Sequence, residues 1–162
     1  MLSPSALAEA FSRNVELIKL QTAGLTDEES LIQLPFRANC MNWIVGHLVT
    51  NRNTIFRLLQ HEELIERTPL ERYERESGPI SGAGDGVLPL EQLLGSLEQA
   101  QSRLRNLLGE IEEEELARSV AFFGKRSMPV AEWLFFFYFH DTYHTGQTEI
   151  LRQAAGKDDK VI

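Results

Sequence analysis

His140 and His144 stand four residues apart on a seam, Trp133, Phe137, His140, His144, Gln147 and Leu151, whose spacing of four and three marks the inward face of a helix. Side chains at that spacing leave one face a turn apart, about 5.4 Å along the axis, so both imidazoles can reach one ion. A third histidine, His47, lies among Ile44, Val45, Leu48 and Val49, at or beside the buried stripe of another helix, from which it can complete a three-imidazole site. Unpaired buried imidazoles cost stability, whereas coordination satisfies one ring nitrogen and a hydrogen-bond acceptor the other. Hydrogen-bonded core histidines produce the same pattern, and spacing alone leaves both readings open. His61, among Gln60, Glu62 and Glu63, is expected to be exposed.

Three neutral imidazoles on one ion leave a fourth position for water or substrate, the arrangement of catalytic rather than structural zinc. Such an ion either lowers the pKa of bound water to about 7 for hydrolysis or holds a thiol as thiolate beside an electrophile. Metal must compete with protons for imidazoles of unperturbed pKa about 6.5, so occupancy is expected to fall below roughly pH 6. Asn51, one turn after His47, and Gln147, one turn after His144, are candidates to orient an imidazole or a bound water, with a satisfied polar core residue as the alternative for each. Asp141 and Tyr143 are candidates for proton relay or substrate contact; both are offset from the seam, which favours surface or helix-contact roles. Trp43, Trp133 and Phe136 read as core or pocket wall, and Cys40, with no base at a readable spacing, as a buried apolar residue.

Other motifs fail on specific grounds. His140-Asp141-Thr142-Tyr143-His144 resembles the His-Glu-x-x-His of zinc proteases, but Asp141 is a methylene shorter than that glutamate and no strand pattern supplies a peptide-binding sheet. A di-iron bundle needs Glu-x-x-His motifs, and none of the three histidines has Glu three residues before it. Gly82, Gly84 and Gly86 follow no strand and precede no Lys-Ser/Thr, so they make no phosphate loop.

The elements that must position these residues are helices. Period 3.6 recurs in four long segments and a sustained period of two nowhere, which predicts an all-α fold. Ser3 and Pro4 open the first helix and Gly24 ends it; Thr26 and Glu29 form a capping-box pattern for a short helix stopped by Pro35. The other long helices are expected over about Asn42 to Leu59, Pro89 to Ile111 and Pro129 to Ala155, with Gly156 as the last stop. The glycine-rich, charged stretch between the second and third, from His61 to Gly86, is long enough to cross a bundle and is the candidate for a mobile lid. The fold class is therefore a four-helix bundle with a long crossover between helices 2 and 3, read as one domain over 1–162. The acidic run Glu110 to Glu115 reads as a solvated helix end.

Composition narrows the partners. Sixteen Lys and Arg against 24 Asp and Glu give a net charge of −8, which opposes nucleic acid as a partner because phosphate binding draws on a basic surface. The longest apolar run, Trp133 to Phe139, falls far short of the ~20 residues of a spanning helix, so no membrane partner is expected. Its apolar residues exceed one inward stripe, which predicts a homodimer. With no secretory leader pattern and a single cysteine, the chain is expected in the cytoplasm.

Two pieces together, Asn42-Trp43-Ile44-Val45-Gly46-His47-Leu48 and Glu132-Trp133-Leu134-Phe135-Phe136 followed by His140-x-x-x-His144-x-Gly146-Gln147, resemble the DinB/YfiT superfamily of metal-binding four-helix bundles over nearly the whole chain. The resemblance implies an up-down bundle with a long crossover, a divalent metal held by His47, His140 and His144 (zinc first, nickel or another transition metal as alternatives), and frequent homodimerisation. Similar proteins include thiol S-transferases that use low-molecular-weight thiols such as bacillithiol or mycothiol, and a mycothiol-dependent maleylpyruvate isomerase. The expected function is thus a metal-dependent thiol S-transferase acting on a small-molecule substrate, with a metal-dependent hydrolase or a non-enzymatic metal- or ligand-binding stress protein as alternatives.

Overall fold

Ser3 Oγ accepts the Ala6 amide at 3.2 Å and Pro4 sits in the first turn, so α1 starts where the sequence places it and runs Pro4–Thr22. Gly24, at φ +74°, turns the chain out of it. The computed structural model describes residues 3–80, 82–84, 86–122, 124 and 126–161. The capping box forms: Thr26 Oγ1 accepts from Glu29 N at 3.1 Å and Glu29 Oε2 from Thr26 N at 2.8 Å, opening α2, Asp27–Ser30. This helix closes at Ser30 rather than at Pro35, because Ser30 Oγ turns back to the Asp27 carbonyl at 2.6 Å. Asp27 Oδ1 in turn accepts Leu90 N at 2.7 Å, capping a helix 63 residues away.

The remaining elements are α3 (Met41–Leu58), a 3-10 turn (Thr68–Tyr73), α4 (Leu90–Glu110), α5 (Glu113–Ala117), β1 (Ser119–Phe122), β2 (Arg126–Pro129) and α6 (Val130–Ala154). The β1–β2 hairpin, antiparallel with Ser119 opposite Pro129, corrects the expectation of no strands. Four residues per strand are too few for a sustained period of two, and the Val120 carbonyl accepts Trp133 Nε1 at 2.9 Å to hold the hairpin on α6. The acidic run closes α4 and opens α5, with Glu112, Glu113 and Glu114 exposed.

Specific pairs give the helix directions. Gln101 Nε2 bonds to Ser12 Oγ and Lys19 pairs with Glu98, so α1 and α4 are antiparallel. Asn42 bonds to the Leu88 carbonyl and Arg52 to Gln101, so α3 and α4 run parallel. Asn51 meets His140 and Trp43 meets His144, which makes α3 and α6 antiparallel; Phe11 on Tyr138 and Arg152 on the Gln21 carbonyl make α1 and α6 parallel. The order is up, down, down, up, and the parallel α3–α4 pair is what requires the long crossover: the chain must travel back along α3, about 27 Å for 18 residues.

From Leu64 to Ile80 that crossover is anchored, which corrects the lid expectation for this part of it, while Gly82, Ala83 and Gly84 are exposed. Leu70, Tyr73 and Ile80 are buried. Asn53 Oδ1 accepts from Leu64 N and Ile65 N while its Nδ2 donates to the Ile65 carbonyl. Arg72 donates to the Gly78 and Pro79 carbonyls, each at 2.7 Å. Residues 81 and 85 of the stretch lie outside the described residues.

Two apolar clusters fill the bundle, one around Ile18, Ile44, Leu48, Leu93 and Tyr73, the other around Phe11, Phe56, Leu104, Leu134 and Phe137. Arg52 of α3, Gln101 of α4 and Asp141 of α6 form a buried polar layer against Phe11 of α1. Arg52 Nη1 stands 2.6 Å from Asp141 Oδ2, both side chains at 1% exposure or less. Arg52 Nε donates to Gln101 Oε1 at 3.2 Å, and the guanidinium covers the Phe11 ring at 4.7 Å. On α6, Trp133, Leu134 and Phe137 face inward while Phe135, Phe136, Phe139, Tyr143 and Ile150 are exposed. Among the described residues no helix is long and apolar enough to cross a membrane.

Candidate metal centre

The antiparallel α3–α6 pair brings His47 to His140 and His144, and one ligand atom from each lies within 4.8 Å of the other two. His140 Nε2 and His144 Nε2 are 3.3 Å apart, close to the roughly 3.3 Å expected for two nitrogens about 2.05 Å from a tetrahedral ion. Hydrogen bonds fix the outer side of each ring. His47 Nδ1 donates to the Tyr73 carbonyl at 2.8 Å, which leaves its Nε2 lone pair free. His144 Nδ1 donates to Gln147 Oε1 at 2.7 Å with the same result.

His140 differs. Asn51 Nδ2 donates to its Nδ1 at 3.3 Å, so a neutral ring carries its proton on Nε2, facing His144 Nε2. A half-turn of the Asn51 amide presents Oδ1 to an Nδ1–H and frees Nε2 for an ion. The donor set therefore fits a divalent transition metal once one amide has turned.

Burial shapes the protonation state. It pushes the His47 imidazole down to about 4, against the bond to the Tyr73 carbonyl, which raises it. His140 is pushed down to about 3 by burial first, then by the charges of His144, His47 and Arg75. His144 is lowered by burial, against its bond to Gln147. All three are neutral near pH 7, the form a metal needs. Lowered imidazoles compete with a metal at lower pH than free imidazole does, so acid release of a bound ion is expected to begin below the roughly pH 6 set by unperturbed histidine.

The sign of the stability effect follows. An imidazole whose folded pKa lies below its unfolded value of about 6.5 binds fewer protons folded than unfolded, so stability is complete above about 6.5 and is lost as pH falls. Urea midpoints of the metal-free protein are expected to drop between about pH 6.5 and 4. A midpoint that stays flat over that range would contradict burial of neutral imidazoles.

The sequence candidates distribute unevenly. Trp43 stacks on His47 with ring centroids 4.5 Å apart, and its Nε1 donates to Ser77 Oγ at 2.8 Å. Tyr143 is exposed and presents its ring edge-on to His144 at 5.4 Å. Phe136 is 42% exposed, its ring 6.3 Å from that of His140, so it flanks the site and is not core. Asn51 serves His140 rather than His47, because the antiparallel register sets it opposite α6. Asp141 is a helix contact at 1% exposure, turned away from the site into the Arg52 pair. Cys40 is buried before α3, where burial pushes its thiol up and keeps it protonated. His61 is exposed.

Two contributors escaped the sequence reading. The Tyr73 carbonyl that fixes His47 is a backbone group with no sequence signal; the nearest clue was Gly46. A Cβ at Gly46 would strike the Tyr73 ring, and that ring cannot give, because its hydroxyl donates to Asn42 Oδ1 and accepts from Leu88 N. Gly46→Ala is expected to cost about 1–3 kcal/mol through overpacking and to weaken metal binding with it; a wild-type urea midpoint would contradict this. The second contributor is Arg75, which lines both clefts beside the histidines.

One cleft, of ≈ 250 Å³, reaches His47 past Thr50, Asn51 and Thr54. The other, of ≈ 750 Å³, reaches His144 past Trp43, Tyr143 and Gln147. A site with three protein nitrogens and access from two sides leaves room for a small molecule at an open coordination position.

Comparison with known proteins agrees with the geometry. Residues 10–148 match the family model described as the DinB superfamily. Among solved structures, a conserved protein from Enterococcus faecalis shares the fold at a TM-score of 0.74, covering 96% of this chain and 98% of its own, at 16% identity. No curated protein matches the chain.

Proposed function

The chain belongs to the DinB superfamily, and from that premise we propose that its three histidines hold one divalent metal, zinc in the first instance, for transfer of a small thiol to an electrophile. The observation that carries this reading is the convergence of three imidazoles beside two clefts. A metal bound there supplies a positive charge that keeps a thiol deprotonated at neutral pH.

The chain's own residues do the positioning. The Tyr73 carbonyl, Gln147 and Asn51 set the tautomer and tilt of the three rings. Trp43 and Tyr143 wall the approach to His144. In the transfer the thiol's proton passes to solvent, a sulfur–carbon bond forms, and the electrophile's leaving group departs with the bonding pair.

Metal-loaded protein incubated with low-molecular-weight thiols and monochlorobimane is expected to give metal-dependent conjugation. Turnover of esters or phosphoesters without thiol would move the reading to a hydrolase. Inactivity on both panels, with a melting temperature that falls sharply on chelation, would reduce the site to a structural one.

A further inference from the structure

The loop Glu74–Pro79 passes the histidine cluster and is pinned at several points. Arg72 holds the Gly78 and Pro79 carbonyls, Ser77 Oγ takes Trp43 Nε1, and Gln33 Nε2 reaches the next carbonyl, Ile80, at 2.5 Å. Glu76 within it adopts φ +70°, a conformation that costs a residue with a Cβ about 1 kcal/mol or more and persists where its surroundings impose it. Arg75 is therefore carried on a fixed support. Its charge acts on both His47 and His140.

Charge accounting singles this residue out. In the narrower cleft Arg57 is paired with Glu63 and Arg67 with Glu74. Of the arginines whose side chains are described, all but Arg13, Arg37 and Arg75 have a carboxylate, carbonyl or ring partner among the described residues. Two of those three, Arg37 and Arg75, line the wider cleft beyond His144, where Glu76 is the one acidic lining residue among the described residues. A chain of net charge −8 thus places two guanidinium groups, without a carboxylate partner among the described residues, in the cleft that reaches His144. Guanidinium offers paired donors in a fork that matches a carboxylate.

We infer that the wider cleft receives the carboxylate of a small acidic thiol, held by Arg75 and Arg37 while the sulfur is directed at the three imidazoles. This rests on the thiol reading above. It makes the two arginines determinants of which thiol is accepted, and it disfavours thiols that carry an amine at the same distance.

Cobalt-substituted protein tests it, because thiolate binding to cobalt gives an absorption band that needs no turnover. Titrations compare 3-mercaptopropionate, 2-mercaptoethanol and cysteamine, and the ratio of affinities within one protein is compared between variants, which cancels each thiol's own acidity. 3-Mercaptopropionate is expected to bind about tenfold more tightly than 2-mercaptoethanol at low salt, with cysteamine weakest and the preference shrinking as salt is added. Arg75→Gln and Arg37→Gln should each reduce the preference, and Arg57→Gln, from the other cleft, should keep it. All three positions are exposed or partly exposed, so folding is preserved. A 3-mercaptopropionate preference as large in Arg75→Gln and in Arg37→Gln as in wild type would overturn this inference alone. Full cobalt loading with no thiolate band for any thiol would overturn the thiol reading and the inference with it.

Discussion

Asp141→Ala is expected to destabilise the protein by about 3–5 kcal/mol, because it leaves the Arg52 guanidinium charged and alone in the middle of the bundle. That is a large fraction of the roughly 5–15 kcal/mol typical of a folded domain. Burial raises the Asp141 carboxyl above its usual range, and the neighbouring Arg52 opposes this. Nη2 of Arg52 and Oδ1 of Asp141 are also buried without a hydrogen-bond partner. The same physics predicts the opposite for the pair removed together. Arg52→Met with Asp141→Leu should be neutral or more stable by about 1–4 kcal/mol. Asp141 follows His140 and Arg52 follows Asn51, so relaxation around an orphaned charge in the single variant should also loosen the metal site. Urea unfolding of both variants decides it: single-variant midpoints near wild type would show that the layer carries little energy.

His144→Ala should abolish stoichiometric metal binding. The substitution removes one of three converging nitrogens, and its effect must exceed the roughly 10–100-fold loss expected when only an orienting partner is removed. Asn51→Ala and Gln147→Ala supply that smaller step, since each touches one imidazole through its Nδ1. Metal at 100 times its dissociation constant stabilises a folded protein by about 2.7 kcal/mol, so wild type should gain that much on loading and His144→Ala none. Equal gains in both proteins would place the metal elsewhere.

The three histidines could be found because helical period projects onto faces: His140 and His144 share a seam with Trp133, Phe137 and Leu151, and His47 sits in an apolar stripe. The four long helices and the capping box at Thr26 were legible for the same reason, being set by local periodicity and local hydrogen bonds. What depends on register between helices was not. Helical phase offers Asn51 as a residue that orients an imidazole, but that the imidazole is His140 of the facing helix follows only from the antiparallel register. Asp141 lay off the seam, yet the face it occupies meets Arg52 of α3, a pairing that no single-helix pattern contains. The glycines and charges of the crossover predict mobility, but Leu70, Tyr73 and Ile80 bury themselves and Arg72 ties Gly78 and Pro79. The hairpin at Ser119–Pro129 was too short to show a period.

The central claim is that His47, His140 and His144 form one metal site. Plasma mass spectrometry of tag-free protein, beside His144→Ala prepared identically and both reconstituted with zinc and with nickel, tests it most directly. The account predicts close to one divalent ion per wild-type chain and none retained by the variant. No metal in either protein, with both folded, would make the three imidazoles hydrogen-bonded core residues and contradict the account.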